Sequence, residues 1–173
     1  MNALMLLVLP LLAAQPVSPP LQLPPTPVAV TECTSTQLSA RTVSEEGAAG
    51  TILDTLQLVN TSNVTCTVQG YPTVLMFDSF GTLLSTNDVP GGGILARPPG
   101  SSPIVLAPGA ASPFGLAWSD VPVGSETTCP AAAMLGITPP DGITALSVAL
   151  MIAPCGGGTI DVGPLRAPGE SVI

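Results

Sequence analysis

Asn60-Thr-Ser-Asn-Val-Thr-Cys-Thr-Val-Gln-Gly-Tyr-Pro72 sets a cysteine inside an alternating polar and apolar run that leaves a tight polar turn. Asn60 to Asn63 supply side chains that bond their own backbone and so turn the chain, while Gly70-Tyr71-Pro72 redirects it into the next run. A period of two around a cysteine points to a half-buried strand in an oxidised, extracytoplasmic β-domain. Nothing in the stretch has the makings of a catalytic or cofactor site.

Working outward, Thr31 onward is a series of short Val-, Ile-, Leu- and Thr-rich runs broken by Gly, Pro and Asn, with no helix of ordinary length. Strands are expected at 37–44, 51–59, 65–69, 73–78, 82–85, 104–106, 111–118, 135–138, 144–151 and 159–162. In 51–59, Asp54 shares the parity of Leu56 and Leu58, which places it at the rim with the core face beginning near Leu56. Leu106-Ala-Pro-Gly109 has Pro108 to preset φ and Gly109 to take the positive φ of a type II turn, joining two apolar runs as a hairpin. Pro139-Pro-Asp-Gly142 repeats that device, and Phe80-Gly81 offers a weaker turn. The stretch from Gly91-Gly-Gly93 through Pro98-Pro-Gly100 contains no convincing strand and reads as a long mobile loop, the place to look for an exposed apolar binding patch.

A chain of 173 residues holds one domain with appendages. Hydrophobic residues make up 46% but aromatics only 3%, so the core must be built from Val, Leu, Ile and Ala, with Trp118, Tyr71 and three Phe as large anchors. Charged residues are 8%, Lys and His are absent, and Arg41, Arg97 and Arg166 are the only basic side chains against eleven acidic ones. A net charge of −8 removes the usual electrostatic route to nucleic acid and to anionic lipid headgroups.

Residues 1–14 are an apolar run of signal-peptide length, too short to span a bilayer, although they lack the basic residues of such a segment. They read as an export signal or a retained anchor, the one route to membrane association. Residues 15–30 carry six prolines and form a spacer that favours extended backbone. The β-domain is then expected over 31–166, with 167–173 as a tail. Cys33, Cys66, Cys129 and Cys155 make two disulfides with no thiol left over. Three connectivities are possible. Cys33 with Cys66 and Cys129 with Cys155 is favoured, because both loops are then local and non-crossing; each would contribute about 3 to 4 kcal/mol.

Cys66-Thr-Val-Gln-Gly-Tyr-Pro72 after Asn60-Thr61, then Leu106-Ala-Pro-Gly109, Trp118, Cys129-Pro130 and Cys155-Gly-Gly157, together resemble the secreted actinobacterial domain of unknown function 4232 over about residues 31 to 165. The resemblance implies an all-β, immunoglobulin-like antiparallel sandwich behind a signal or lipidated cysteine and a linker. It carries no activity. This chain lacks the apolar and small residues before Cys33 that a lipidated cysteine needs.

Enzyme chemistry finds little support. Without His or Lys, a Ser or Cys nucleophile lacks its usual base. A carboxylate pair, as in glycoside hydrolysis, would have to come from Glu32, Glu45, Glu46, Asp54, Asp78, Asp88, Asp120, Glu126, Asp141, Asp161 and Glu170. Glu45 and Glu46 precede Gly47 in what reads as a solvated turn. Asp88, Asp120 and Asp141 lie beside Pro or Gly, where Asp bonds its own backbone. No calcium loop, phosphate loop or closely spaced thiol pair is present, so no catalytic, cofactor or metal residue is expected. The expectation is a non-catalytic exported domain that binds or scaffolds an envelope protein or polymer. An accessory subunit of a membrane complex is the main rival, and a carboxylate-dependent envelope hydrolase the weaker one.

Overall fold

The structure, a computed structural model that describes residues 30–48 and 50–173, is built of ten strands and almost nothing else. The expected leader and all of the spacer but Val30 lie outside the described residues. β1 (Leu38–Ala48) and β2 (Thr51–Asn60) pair as a long antiparallel hairpin turned at Gly50, whose φ is +81°. β7 (Ala111–Ser119) continues the sheet beside β2, β10 (Thr159–Val162) lies beside β7, and β5 (Asn87–Pro90) closes the edge, giving the order β1-β2-β7-β10-β5. β4 (Thr73–Phe77), β8 (Ala132–Thr138) and β9 (Leu146–Ile152) form a second, antiparallel sheet, and β3 (Cys66–Val68) pairs with β6 (Ile104–Leu106). The all-β sandwich is as expected, except that β5 runs parallel to β10.

Alternation assigns the faces. Leu56, Leu58, Phe114, Leu116 and Trp118 from the larger sheet meet Val74, Met76, Leu135, Ile137, Val148 and Ile152 from the smaller. Phe114 and Trp118 are the large aromatic anchors; Tyr71 and Phe77 are only half-buried and Phe80 is 92% exposed, so the core is as aliphatic as the composition allows. Disulfides join Cys33 to Cys66 and Cys129 to Cys155, the favoured pairing. The first ties the entering chain to β3, where Cys33 N also donates to Thr67 O at 2.8 Å.

Several expectations change. Glu45 and Glu46 lie in β1, not in a turn, because the hairpin continues to Gly50. Residues 82–85 make only one bridge, Leu83 to Phe77, while the missed strand is β5, whose Asn, Asp and Pro disguise it. Its Asp88 does not serve its own turn: its carboxylate accepts from Val74 N at 3.0 Å, and Thr86 Oγ1 accepts from Met76 N at 3.0 Å, so side chains cap the free edge of β4. The turn at Leu106–Gly109 forms, with Ala110 N donating to Ala107 O and Gly109 at φ +80°, but it is no hairpin: β6 pairs with β3 and β7 with β2. At Pro139–Gly142 the flanking strands do pair, and the positive φ of +58° falls on Asp141. Residues 167–173 pack onto the domain: Val172 is buried and Arg97 Nη1 donates to Ile173 O at 2.9 Å.

Asp54 is fully buried, not at the rim, because its parity puts it on the core face between Glu45 of β1 and Leu116 of β7. Neither carboxylate oxygen has a partner among the described residues. Desolvation, with a smaller contribution from the charge of Glu45, raises its pKa to about 6.

Candidate functional site

The two sheets differ in what covers their outer faces. Behind the larger sheet, the Gly91–Gly100 loop folds back and inserts Leu95, fully buried, against Leu53 and Ala117. The fit requires Gly115, where a Cβ would stand 2.8 Å from Leu95 Cδ2. Instead of being free, the loop is held along its length: Gly91 N donates to Val162 O, Tyr71 Oη to Arg97 O, Arg166 Nη1 to Pro98 O and Gln69 Nε2 to Gly100 O. Tyr71 also lies so close to Gly91, at φ +65°, that a Cβ there would meet its hydroxyl at 2.9 Å. The Gly-Tyr-Pro stretch therefore does more than redirect the chain: it docks this loop. Of the expected patch at Gly91–Ile104, Ile94 is the large apolar residue left exposed.

Among the described residues, the outer face of β4-β8-β9 has no such cover. Cross-strand register aligns Leu83, Phe77, Met134 and Ala149 in one row and Leu75, Gly136 and Ser147 in the next, with Met151 beyond. No residue of these rows carries a charge. Leu83 is 58% exposed, Met151 84%, and Phe80 projects from the adjoining turn. That turn is held by Asp78, whose Oδ1 accepts from Phe80 N and Thr82 N at 2.8 Å each; these backbone bonds, led by Thr82, hold its carboxyl below the usual range. The apolar patch thus lies here more than at Gly91–Ile104. Its signal in the sequence is that Thr73-Val-Leu-Met-Phe77 is apolar at both parities, the mark of a strand covered on both faces.

Outside this face several polar groups are engaged in holding the fold. Asn60 is buried, donates through Nδ2 to Val64 O and Leu106 O, and accepts on Oδ1 from Ser62 N and Oγ, which binds the opening turn to β6. Glu126 accepts from Gly156 N at 2.8 Å and Gly157 N at 3.1 Å, and these bonds lower its pKa. A ligand atom of Glu126 comes within 4.8 Å of the sulfurs of Cys129 and Cys155, but those sulfurs are joined to each other, and the carboxylate is turned to the amides. Burial raises the pKa of Asp161, beside which Gly92 and Gly93 leave the room its carboxylate occupies. It is the one carboxylate in a groove of about 350 Å3 bounded by Ile94, Ala117 and Val123. Burial also raises Asp88, though the bond from Val74 N opposes the shift. Asp54, Asp88 and Asp161, the raised carboxylates, do not share a groove; Glu32 and Asp141 do, both exposed.

The sequence profile of one domain family, described as a domain of unknown function (DUF4232), matches residues 33–167. The chain belongs to that family. No curated protein and no solved structure matches it. For this DUF4232 domain the matched span runs from the first cysteine of the Cys33–Cys66 bridge past β10, so both disulfides, the docked loop and the bare face fall inside it. Two disulfides suit an oxidising compartment, and among the described residues no helix is long and apolar enough to cross a membrane.

Proposed function

We propose that this DUF4232 domain is a non-catalytic extracytoplasmic binding module that presents the β4-β8-β9 face to an apolar surface of an envelope protein. The observation that carries this reading is a sheet face with Leu75, Phe77, Leu83, Met134 and Met151 on it and no charge, on a chain that covers its other sheet with its own loop. Exposed contiguous apolar surface is the usual mark of a contact site. A protein partner suits it better than a sugar polymer, since Leu75, Phe77, Leu83, Met134, Ala149 and Met151 dominate the face and its hydroxyls, Thr73, Thr138 and Ser147, lie toward one end. The disulfides keep the rigid platform such a contact needs.

The test is co-purification of the tagged chain from native envelope, comparing the parent with Met151→Glu and Ala149→Glu. Both sites are exposed, so the variants should fold with unchanged melting temperature and lose a discrete partner the parent retains. Equal recovery of the same proteins by parent and variants would refute the assignment.

A further inference from the structure

Arg166 is one of three basic residues, and it is 7% exposed. Its backbone is fixed at the start of β7, where its N–H donates to Pro113 O at 2.9 Å and its carbonyl accepts from Ser112 Oγ at 2.7 Å. The guanidinium donates once, from Nη1 to Pro98 O at 3.2 Å. Nε and Nη2 are buried with no partner among the described residues. Those two atoms form one edge of the guanidinium, whose parallel N–H groups match the two oxygens of a carboxylate. A buried charge without a counter-charge is unfavourable, yet in a chain of net charge −8 no described carboxylate bonds to it.

Arg166 lines a groove of about 460 Å3 between the Gly100–Val105 segment and Leu165–Glu170. Ile104, Val105 and Leu165 supply apolar walls, and Ser101 and Ser102 bring hydroxyls. Glu170 lines it too, but its Oε2 is engaged with Ala167 N at 3.1 Å. We propose that Arg166 and this groove bind a compact monocarboxylate with an apolar body, the carboxylate bridging Nε and Nη2 and the body lying along Ile104 and Leu165. Both nitrogens are enclosed, so the proposal includes a shift of the groove wall, of which Gly100–Pro103 is one part, with Gly100 O held by Gln69 Nε2 at 2.7 Å. This site is independent of the β4-β8-β9 face, and a chain that binds the carboxylate but no envelope protein would refute only the function proposed above.

With three arginines, the full chain labelled with nitrogen-15 gives three Nε–H resonances, assignable by elimination with Arg41→Lys and Arg97→Lys. N-acetylleucine is the probe and N-acetylleucinamide, the same body without the charge, its control. The Arg166 Nε–H should move downfield to saturation with the acid and respond to the amide at least about tenfold more weakly. Arg166→Lys, which has no Nε–H at this position, should abolish binding as read on the leucine methyl signals of the acid, and Glu170→Gln should preserve or tighten it. The proposal fails if the Arg166 resonance is unmoved up to the solubility of the acid, or if acid and amide bind alike. It fails equally if Glu170→Gln alone shifts that resonance and the acid does not, since Glu170 would then be the partner. The acid and amide pair decides the question even if Arg166→Lys does not fold.

Discussion

The outer faces of the two sheets received opposite treatments from one chain. Behind β1-β2-β7-β10-β5, the Gly91–Gly100 loop supplies Leu95 as a plug over Leu53, Gly115 and Ala117, and five side-chain and backbone bonds or contacts hold it there. Behind β4-β8-β9 no segment returns among the described residues, and Met151 and Leu83 face outward. An aliphatic, charge-poor composition cannot distinguish these outcomes, because both faces are drawn from the same residue types. What separates them is glycine and tyrosine placement: Gly115 makes room for the plug and Tyr71 catches the loop, whereas on the other side Gly136 makes room only for Phe77 of the same sheet.

The contrast is sharpest for equivalent truncations. Leu95→Ala should cost about 2 to 5 kcal/mol, seen in chemical denaturation, because it empties a fully buried site. Met151→Ala should stay within about 0.5 kcal/mol. Similar losses at the two positions would break the comparison.

Next in size is Asp54, beneath both faces. Its folded pKa of about 6 lies above the ordinary 3.8, so the folded state holds the proton more tightly and stability falls as pH rises between those values. Asp54→Asn removes the ionised form and should stabilise the chain at pH 7 by roughly 1 to 3 kcal/mol, an advantage that fades below the ordinary carboxylate pKa. Melting temperatures across that range should converge at the acidic end; a constant difference would contradict the burial of an unpartnered carboxylate.

Gly115→Ala should cost about 1 to 3 kcal/mol by forcing the plug outward, and should raise hydrogen exchange at Leu95, whose N–H donates to Gly92 O at 2.9 Å. Gly136 on the bare sheet also has a tight neighbour, Phe77 at 3.0 Å, but that neighbour is the far end of a side chain that is only half-buried. Gly136→Ala should therefore have less effect than Gly115→Ala, under about 1 kcal/mol with exchange at Leu95 unchanged.

Much of this was legible in the chain. Spacing alone favoured the disulfide pairs, short apolar runs between turn residues marked β2, β7 and β9, and Pro108-Gly109 marked a turn. The rest depended on long-range partners that local patterns do not encode. β5 is strand only because β10 lies beside it in parallel, and its Asp88 looked like turn chemistry because Val74 is distant in sequence. Asp54 was moved to the rim on the rule that carboxylates avoid cores, whereas its parity with Leu56 was the better guide. The bare face has no local signature that sets it apart, since a run apolar at both parities is also what a strand covered twice would show, and only the assembled sheets leave one side of it open among the described residues.

The most direct test of the account places a photoreactive side chain at Ala149, on the bare face, and in parallel at Thr51, exposed on the larger sheet. Irradiated in native envelope, the Ala149 probe should give one discrete protein adduct that the Thr51 probe does not. No adduct at Ala149, or the same adduct from both positions, would contradict it.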